Sequence, residues 1–390
     1  MLVSDAIVTA RGGALSHAAV VSRALNVPCV VGCEVIQIDL EMRNFEINGQ
    51  VFEEGMPLSV NGTTGRIYAG HIPIEATVET GEHIGRLLSW ADTASGAHFW
   101  TAHIDAAALY STAGFGVIAL TDLMISAGAV TGFIDTIKDL SQNPDDDRVQ
   151  QRISALTRDA CEPLLRKTRQ MPVTLRLPNL GSQRAQKLIG SWVSLAPRLF
   201  LPLGMKGFYD SMLVGAAEAM RAAGHSNLTV LAPGLCSAEE LTAFRCAAES
   251  AGLTSTGVML QSLSGLFAAE RMAQPKTAIW LDIRKLIWNF YDYSSALSFD
   301  GDVFEGYMAK GYVGHNPLTQ IGPDLRKAIQ GLALCVSTGA QVGVECGDGT
   351  SLSLIEDLYQ LGLRNFSLPI GSLAGARLAL GQLATKETSI

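Results

Sequence analysis

Charge is scarce in this chain. Asp, Glu, Lys and Arg make up 17% of its 390 residues, and proline occurs only 14 times. With 48% hydrophobic residues, the composition supports a large core and excludes a disordered or collagen-like chain. Basic residues are the scarcer sign, 29 against 37 acidic ones, giving a net charge of −8. Neither nucleic acid nor an anionic membrane surface is therefore the expected main partner. A clean apolar run of membrane-spanning length is also missing. The nearest stretch, Gly116 to Ile134, carries Asp122 at mid-run along with Thr121, Ser126, Gly128 and Gly132. It reads as a buried strand, a loop and a helix start. The opening Met1-Leu2-Val3-Ser4-Asp5 has no charged leader before an apolar segment, so no signal peptide is expected. Seven cysteines are an odd number, and only Cys29 and Cys33 lie close together. One such pair does not make a metal site. Reduced cysteines in a cytoplasmic chain are expected, and no G-x-x-x-x-G-K-[ST] phosphate loop occurs.

What is present reads as two domains joined by a linker. Residues 1–71 hold short β-type runs, Ala6–Thr9, Cys29–Val31, Phe45–Ile47, Leu58–Val60 and Arg66–Tyr68. Turn signals separate them, Asn48-Gly49 and Asn61-Gly62-Thr63-Thr64-Gly65. One helix is expected over His17 to about Leu25, stopped by Asn26-Val27-Pro28. Residues 72–96 read as a linker with an amphipathic connecting helix around Ile84–Trp90. In residues 97–390 eight apolar runs alternate with helical segments. These runs are Phe99–Ala102, Gly116–Leu120, Pro172–Leu177, Leu228–Ala232, Gly257–Leu260, Thr277–Leu281, Gln341–Val344 and Asn365–Leu368. The expected class is α/β, a small β/α domain followed by a (β/α)8 barrel whose active site would lie at the strand C-termini. The polar stretch Ser141–Asp147 reads as a solvated loop.

The stretch Arg11-Gly12-Gly13-Ala14-Leu15-Ser16-His17-Ala18-Ala19-Val20-Val21 carries chemistry. Gly12 and Gly13 permit a tight turn and a close approach to a ligand. His17 stands at a helix start, where unpaired N–H groups favour an anion. A neutral imidazole there can attack phosphorus, and the amides stabilise the product. Ser16 is placed to cap the helix and to contact the phosphate.

This stretch, with Pro28-Cys29-Val30-Val31-Gly32-Cys33 and the later Asn61-Gly62-Thr63-Thr64-Gly65, resembles the swivelling phosphohistidine domain of the phosphoenolpyruvate-utilising enzymes, most nearly the pyruvate phosphate dikinase branch. Leu15 departs from that pattern, which has threonine there. The resemblance implies a phosphotransferase that moves a phosphoryl group between His17 and a small acid of the phosphoenolpyruvate/pyruvate type. Relatives of this branch charge their histidine from ATP with a domain ahead of the swivel domain, so a separate ATP-binding chain is the expected partner. A homodimer formed through the barrel is implied by analogy only.

The resemblance thins across the barrel. Pro172–Leu177 looks like the strand whose arginine, here Arg176, grips phosphoenolpyruvate; Leu203-Gly204-Met205-Lys206-Gly207 looks like L-G-x-R-G, with Lys206 for arginine. Gly257-Val258-Met259-Leu260-Gln261 looks like G-x-M-x-E, whose glutamate binds Mg²⁺. Around Trp280–Trp288 the family's Asn and Asp read as Arg284 and Lys285, and two upstream arginines read as Thr101 and Thr121. Val342–Asp348 resembles the C-G-E segment shifted by one, which makes Cys346 the implied acid that protonates the enolate. The implied binding set is thus Gly12, Gly13 and Ser16 around His17, and Arg176, Lys206, Gln261, Arg284 and Lys285 in the barrel. An enolate calls for Mg²⁺ and cations, yet Gln261 removes one anionic ligand and Lys285 adds a positive charge. Two readings stay open. Either carboxylates such as Glu345, Asp282 or Asp348 hold the metal instead, or the barrel has lost enolpyruvate chemistry and serves as a ligand-binding or scaffold protein. No metal site is the expectation.

Overall fold

The structure is a computed structural model. It describes residues 4, 6–13, 16, 18–19, 22, 27–62, 64–70, 72, 82–102, 111–142, 146–168, 170–179, 207–291, 302–347 and 350–387. The chain forms two compact units, Met1–Gly81 with Ser295–Gly314, and Glu82–Ser294 with His315–Ile390.

In the first unit, β1 (Ile7–Val8) pairs in parallel with β2 (Cys29–Val30). An antiparallel meander follows, β3 (Ile36–Asp39), β4 (Asn44–Ile47) and β5 (Gln50–Glu53). Asn48 and Gly49 join β4 to β5 with φ of 50° and 85°, the left-handed pair that a two-residue hairpin of right-twisted strands requires. The Asp39 carboxylate accepts the N–H groups of Glu41 and Met42 at 3.0 and 2.9 Å, closing the other turn. A hairpin of β6 (Leu58–Asn61) and β7 (Arg66–Ala69) completes the sheets.

The second unit is a closed barrel of eight parallel strands. They are β8 (His98–Thr101), β9 (Gly114–Ala119), β10 (Val173–Arg176), β11 (Leu228–Pro233), β12 (Ser255–Leu260), β13 (Ala278–Asp282), β14 (Gln341–Glu345) and β15 (Asn365–Ser367). Each coincides with one of the eight apolar runs. The strands are buried on both faces, as continuous apolar runs in a parallel sheet must be. Trp100, Val117, Leu231, Met259, Ala278 and Trp280 fill the interior. The two indoles meet edge to face, centroids 5.5 Å apart. Each buries on the order of 200 Å², roughly 5 kcal/mol of transfer free energy. Their bulk needs glycine opposite: a Cβ at Gly114 would lie 2.3 Å from the Trp100 ring and one at Gly343 2.7 Å from Trp280.

Helix Glu82–Ser95 extends well beyond the expected connecting segment. Its buried contacts are Leu88 and Ala91, whereas Ile84, Leu87 and Trp90 are exposed. It lies on the C-terminal helix Ile370–Glu387, where the buried Arg377 forks onto the Asp92 carboxylate, Nε to Oδ1 2.9 Å. Within the stretch expected as a loop, Ser141–Asp147, one helix runs through Gln142 and the next begins at Asp147, and residues 143–145 lie outside the described residues. The run Gly116–Ile134 resolves into the end of β9 and the helices Leu120–Ser126 and Val130–Gln142. Among the described residues no helix is long and apolar enough to cross a membrane.

Candidate functional site

In the first unit, the loop after β1 is built on glycine backbone. Gly12 has φ +112°, and a Cβ there would sit 3.0 Å from that of Ser16. A Cβ at Gly32, φ +70°, would fall 2.7 Å from the Gly12 carbonyl oxygen, so two loops meet at their glycines. The Ser16 N–H donates to the Gly13 carbonyl at 2.9 Å, and its Oγ accepts the Ala19 N–H at 3.3 Å as a helix cap. Ala18, Ala19 and Ser22 are helical. His17 itself lies outside the described residues, as do Leu15, most of the expected His17–Leu25 helix, Lys206 and Asp348.

In the barrel, the strand ends bring Arg176, Gln261, Asp282, Lys285 and Glu345 into one cluster at the C-terminal mouth. Asp282 ends β13 and caps helix Ile283–Phe290, its Oδ1 accepting the Lys285 N–H at 3.0 Å. Its Oδ2 accepts the Gln261 side-chain N–H at 3.2 Å. Gln261 Oε1 accepts from Asn179 at 2.8 Å and from Lys285 Nζ at 3.4 Å, and the Asn289 side chain donates to the Gln261 carbonyl. Gln261 is buried, and these four partners hold it in place. Arg176 closes the group from β10, and its Nε is buried with no hydrogen-bond partner among the described residues. A buried, unspent guanidinium N–H at a barrel mouth suits an anionic oxygen. Arg284 lies by Gly347, where a Cβ would come 3.1 Å from its Cδ.

The electrostatics are coupled. Burial pushes the Lys285 ammonium below its usual range, opposed by Asp282, while Arg176 lowers it further and Glu345 raises it. Burial and then the Asp282 charge raise Glu345 to about 7, with Arg176 pulling down, Asp122 pushing up and Arg284 pulling down. Cys346 stands apart. It is 1% exposed, and burial, then Glu345 and Asp282, push its thiol upward. A thiol so placed is inert.

These donors do not fit Mg²⁺. Both Asp282 oxygens already accept N–H groups, Gln261 is neutral, and an ammonium stands 3.4 Å from its oxygen. Two unit charges of one sign at 4 Å repel by about 4 kcal/mol at an effective dielectric of 20, and a divalent ion doubles that. Among the described residues no group of three or more His, Cys, Asp and Glu side chains could hold a metal ion. The sequence reading missed Asn179 and Asn289. The second was legible, since it lies four residues beyond Lys285 on one helix and so on the same face; the first lies in a loop with no periodicity.

Residues 1–65 match the family model of the PEP-utilising enzyme mobile domain. Pyruvate, phosphate dikinase of Clostridium symbiosum is 42% identical over 92 residues, 24% of this chain and 10% of that protein. The Entamoeba histolytica protein of the same name is 39% identical over 90 residues, 23% of this chain and 10% of its own length. The matched part thus spans 10% of these relatives. A citrate lyase from Burkholderia xenovorans LB400 superposes with a TM-score of 0.34 at 12% identity, over 56% of this chain and 74% of that one. The N-terminal segment, residues 1–65, is thus similar to the PEP-utilising enzyme mobile domain.

Proposed function

We propose that this chain is a phosphotransfer component of the pyruvate phosphate dikinase type. His17 carries the phosphoryl group, a separate ATP-binding chain charges it, and the barrel mouth takes a small acid of the phosphoenolpyruvate/pyruvate kind. The mobile-domain match supports the first half. The cluster of Arg176, Gln261, Asp282, Lys285 and Glu345 carries the second. An acid bound there has the buried Arg176 Nε for one oxygen and the Lys285 ammonium for another. Held in place beforehand, such cations stabilise developing negative charge on an enolate oxygen without reorganising. In this reading Lys285 takes the part that a divalent cation has in the family.

Calorimetry with oxalate, a stable mimic of the enolate, tests the barrel half. Binding is expected to be the same with Mg²⁺ and with chelator. Lys285→Ala should weaken it about tenfold or more, the effect of losing a charge-assisted contact. Binding seen only with Mg²⁺ would show that a metal site operates. No binding in either condition would leave the alternative, a non-catalytic scaffold that keeps the fold.

A further inference from the structure

We propose that Glu345 moves a proton to and from the carbon beside the carbonyl of a 2-oxo acid held in the barrel mouth, and that this exchange needs neither a metal nor a phosphoryl donor. The proposal rests on the anion-site reading above and adds to it an activity and a residue.

The strand register places the carboxylate. Asp282 pairs with Glu345, Glu345 with Ser367, and Ser367 with Trp100. Registered partners on parallel strands face the same side of the sheet. Trp100 is packed in the barrel interior. Ser367 Oγ accepts the Val117 N–H at 2.8 Å and donates to the Gly116 carbonyl. Both belong to β9, two strands from β15 with β8 between, a reach open only through the interior. Glu345 and Asp282 therefore face inward at the strand ends. Cys346, one residue on, faces the opposite side and is buried there. The shift by one that the sequence shows at this segment thus decides which side chain meets a ligand: the carboxylate, not the thiol.

The groups around Glu345 suit the task. Asp282 from β13 and Asp122 from helix Leu120–Ser126 disfavour its charge, as does burial; Arg176 from β10 and Arg284 from helix Ile283–Phe290 favour it. The same helix brings Lys285 near enough for Glu345 to raise its basicity. Both forms of Glu345 are consequently populated near neutral pH, the condition for efficient general acid–base work. In the step itself, the Glu345 carboxylate removes a proton from C3 of the 2-oxo acid. The C–H electron pair becomes the C2=C3 bond, and the carbonyl pair moves onto O2, where Arg176 and Lys285 meet the charge. The carboxyl proton exchanges with solvent. Return of a solvent-derived proton to C3 restores the carbonyl, with no net oxidation and no leaving group.

The probe is pyruvate in deuterated buffer with chelator and no nucleotide, followed by proton NMR of its methyl signal. The full chain should wash deuterium into the methyl group, at a rate rising through pH about 7 as the Glu345 carboxylate forms. Glu345→Gln should slow exchange roughly 100-fold or more, while a wild-type melting temperature and circular dichroism spectrum show that the variant is folded. Exchange no faster than in buffer overturns the proposal. So does exchange kept in Glu345→Gln, exchange that needs Mg²⁺, or exchange lost in Cys346→Ala instead. Parallel oxalate calorimetry on the wild type separates the failures. Oxalate binding without exchange removes this step alone, and neither signal removes the anion site with it.

Discussion

The His17→Ala chain is expected to take up no acid-labile phosphate under conditions in which the wild type is labelled stoichiometrically. Two donors are to be offered, radiolabelled phosphoenolpyruvate, and ATP labelled in its β-phosphate together with an ATP-binding chain of this family. The expectation starts from the backbone. Gly12 holds φ +112° and packs its carbonyl where a side chain on Gly32 would stand, so the loop comes as near to a ligand as main chain allows. Ser16 caps a helix whose described residues include Ala18 and Ala19, and a helix start offers unpaired N–H groups to an anion. His17 lies in sequence between that cap and those residues. His17 is the one histidine in the stretch from Arg11 to Val21, and a neutral imidazole attacks phosphorus to form a phosphoramidate. Gly12→Ala makes the companion variant. Forcing a Cβ into that φ costs roughly 1–3 kcal/mol, so the label should fall without vanishing. Label retained on His17→Ala, or none on the wild type from either donor, would remove the phosphotransfer half of the proposed function and leave the barrel to be judged by its own ligand.

Much of the fold was legible because the signals were strong ones. All eight barrel strands show as apolar runs, since a parallel strand covered on both faces has no polar alternation to confuse it with a surface element. The meander was read less well. Only β4 of its three strands was expected, because Ile36-Gln37-Ile38-Asp39 and Gln50-Val51-Phe52-Glu53 each bury a single side chain, Ile36 and Phe52, and leave Ile38 and Val51 exposed. The helix Glu82–Ser95 was expected only around Ile84–Trp90, where Ile84, Leu87 and Trp90 recur at helical spacing yet are exposed, while Leu88 and Ala91 are buried. At the site, Arg176, Gln261 and Lys285 were singled out by the resemblance to the family's barrel motifs, and the structure brings these three side chains near one another. The side of β14 that faces the barrel interior was not found. It is a parity question, settled by the register of Glu345 with Ser367 and Asp282, and a motif shifted by one residue exchanges the two sides of a strand.

Gly257→Ala is expected to cost the barrel at least about 3 kcal/mol, the upper end of overpacking effects. That lowers its melting temperature by roughly 6–12 °C or leaves it insoluble. Gly257 is registered with Ala278 across β12 and β13. A Cβ on it would stand 1.9 Å from the Ala278 carbonyl oxygen, 2.6 Å from its carbon and 2.7 Å from its Cβ. Even a close C–H···O contact needs about 3.3 Å, so the strands would have to part by more than an ångström. An open sheet could yield at an edge, but a closed barrel has none, and its interior is filled by Met259 and Trp280 on these same strands. The strain therefore travels to the strand ends. There Gln261 follows β12 and Asp282 ends β13, joined side chain to side chain at 3.2 Å, so oxalate binding should weaken in any variant that still folds. Gly85→Ala is the control of opposite sign. Gly85 lies inside helix Glu82–Ser95 with nothing within 4 Å of the added carbon, so alanine there should stabilise by up to about 1 kcal/mol. A Gly257→Ala chain that melts within about 2 °C of the wild type, by calorimetry or circular dichroism, would mean that β12 and β13 do not lie in this register. The mouth assembled on their ends would lose its geometric basis with them.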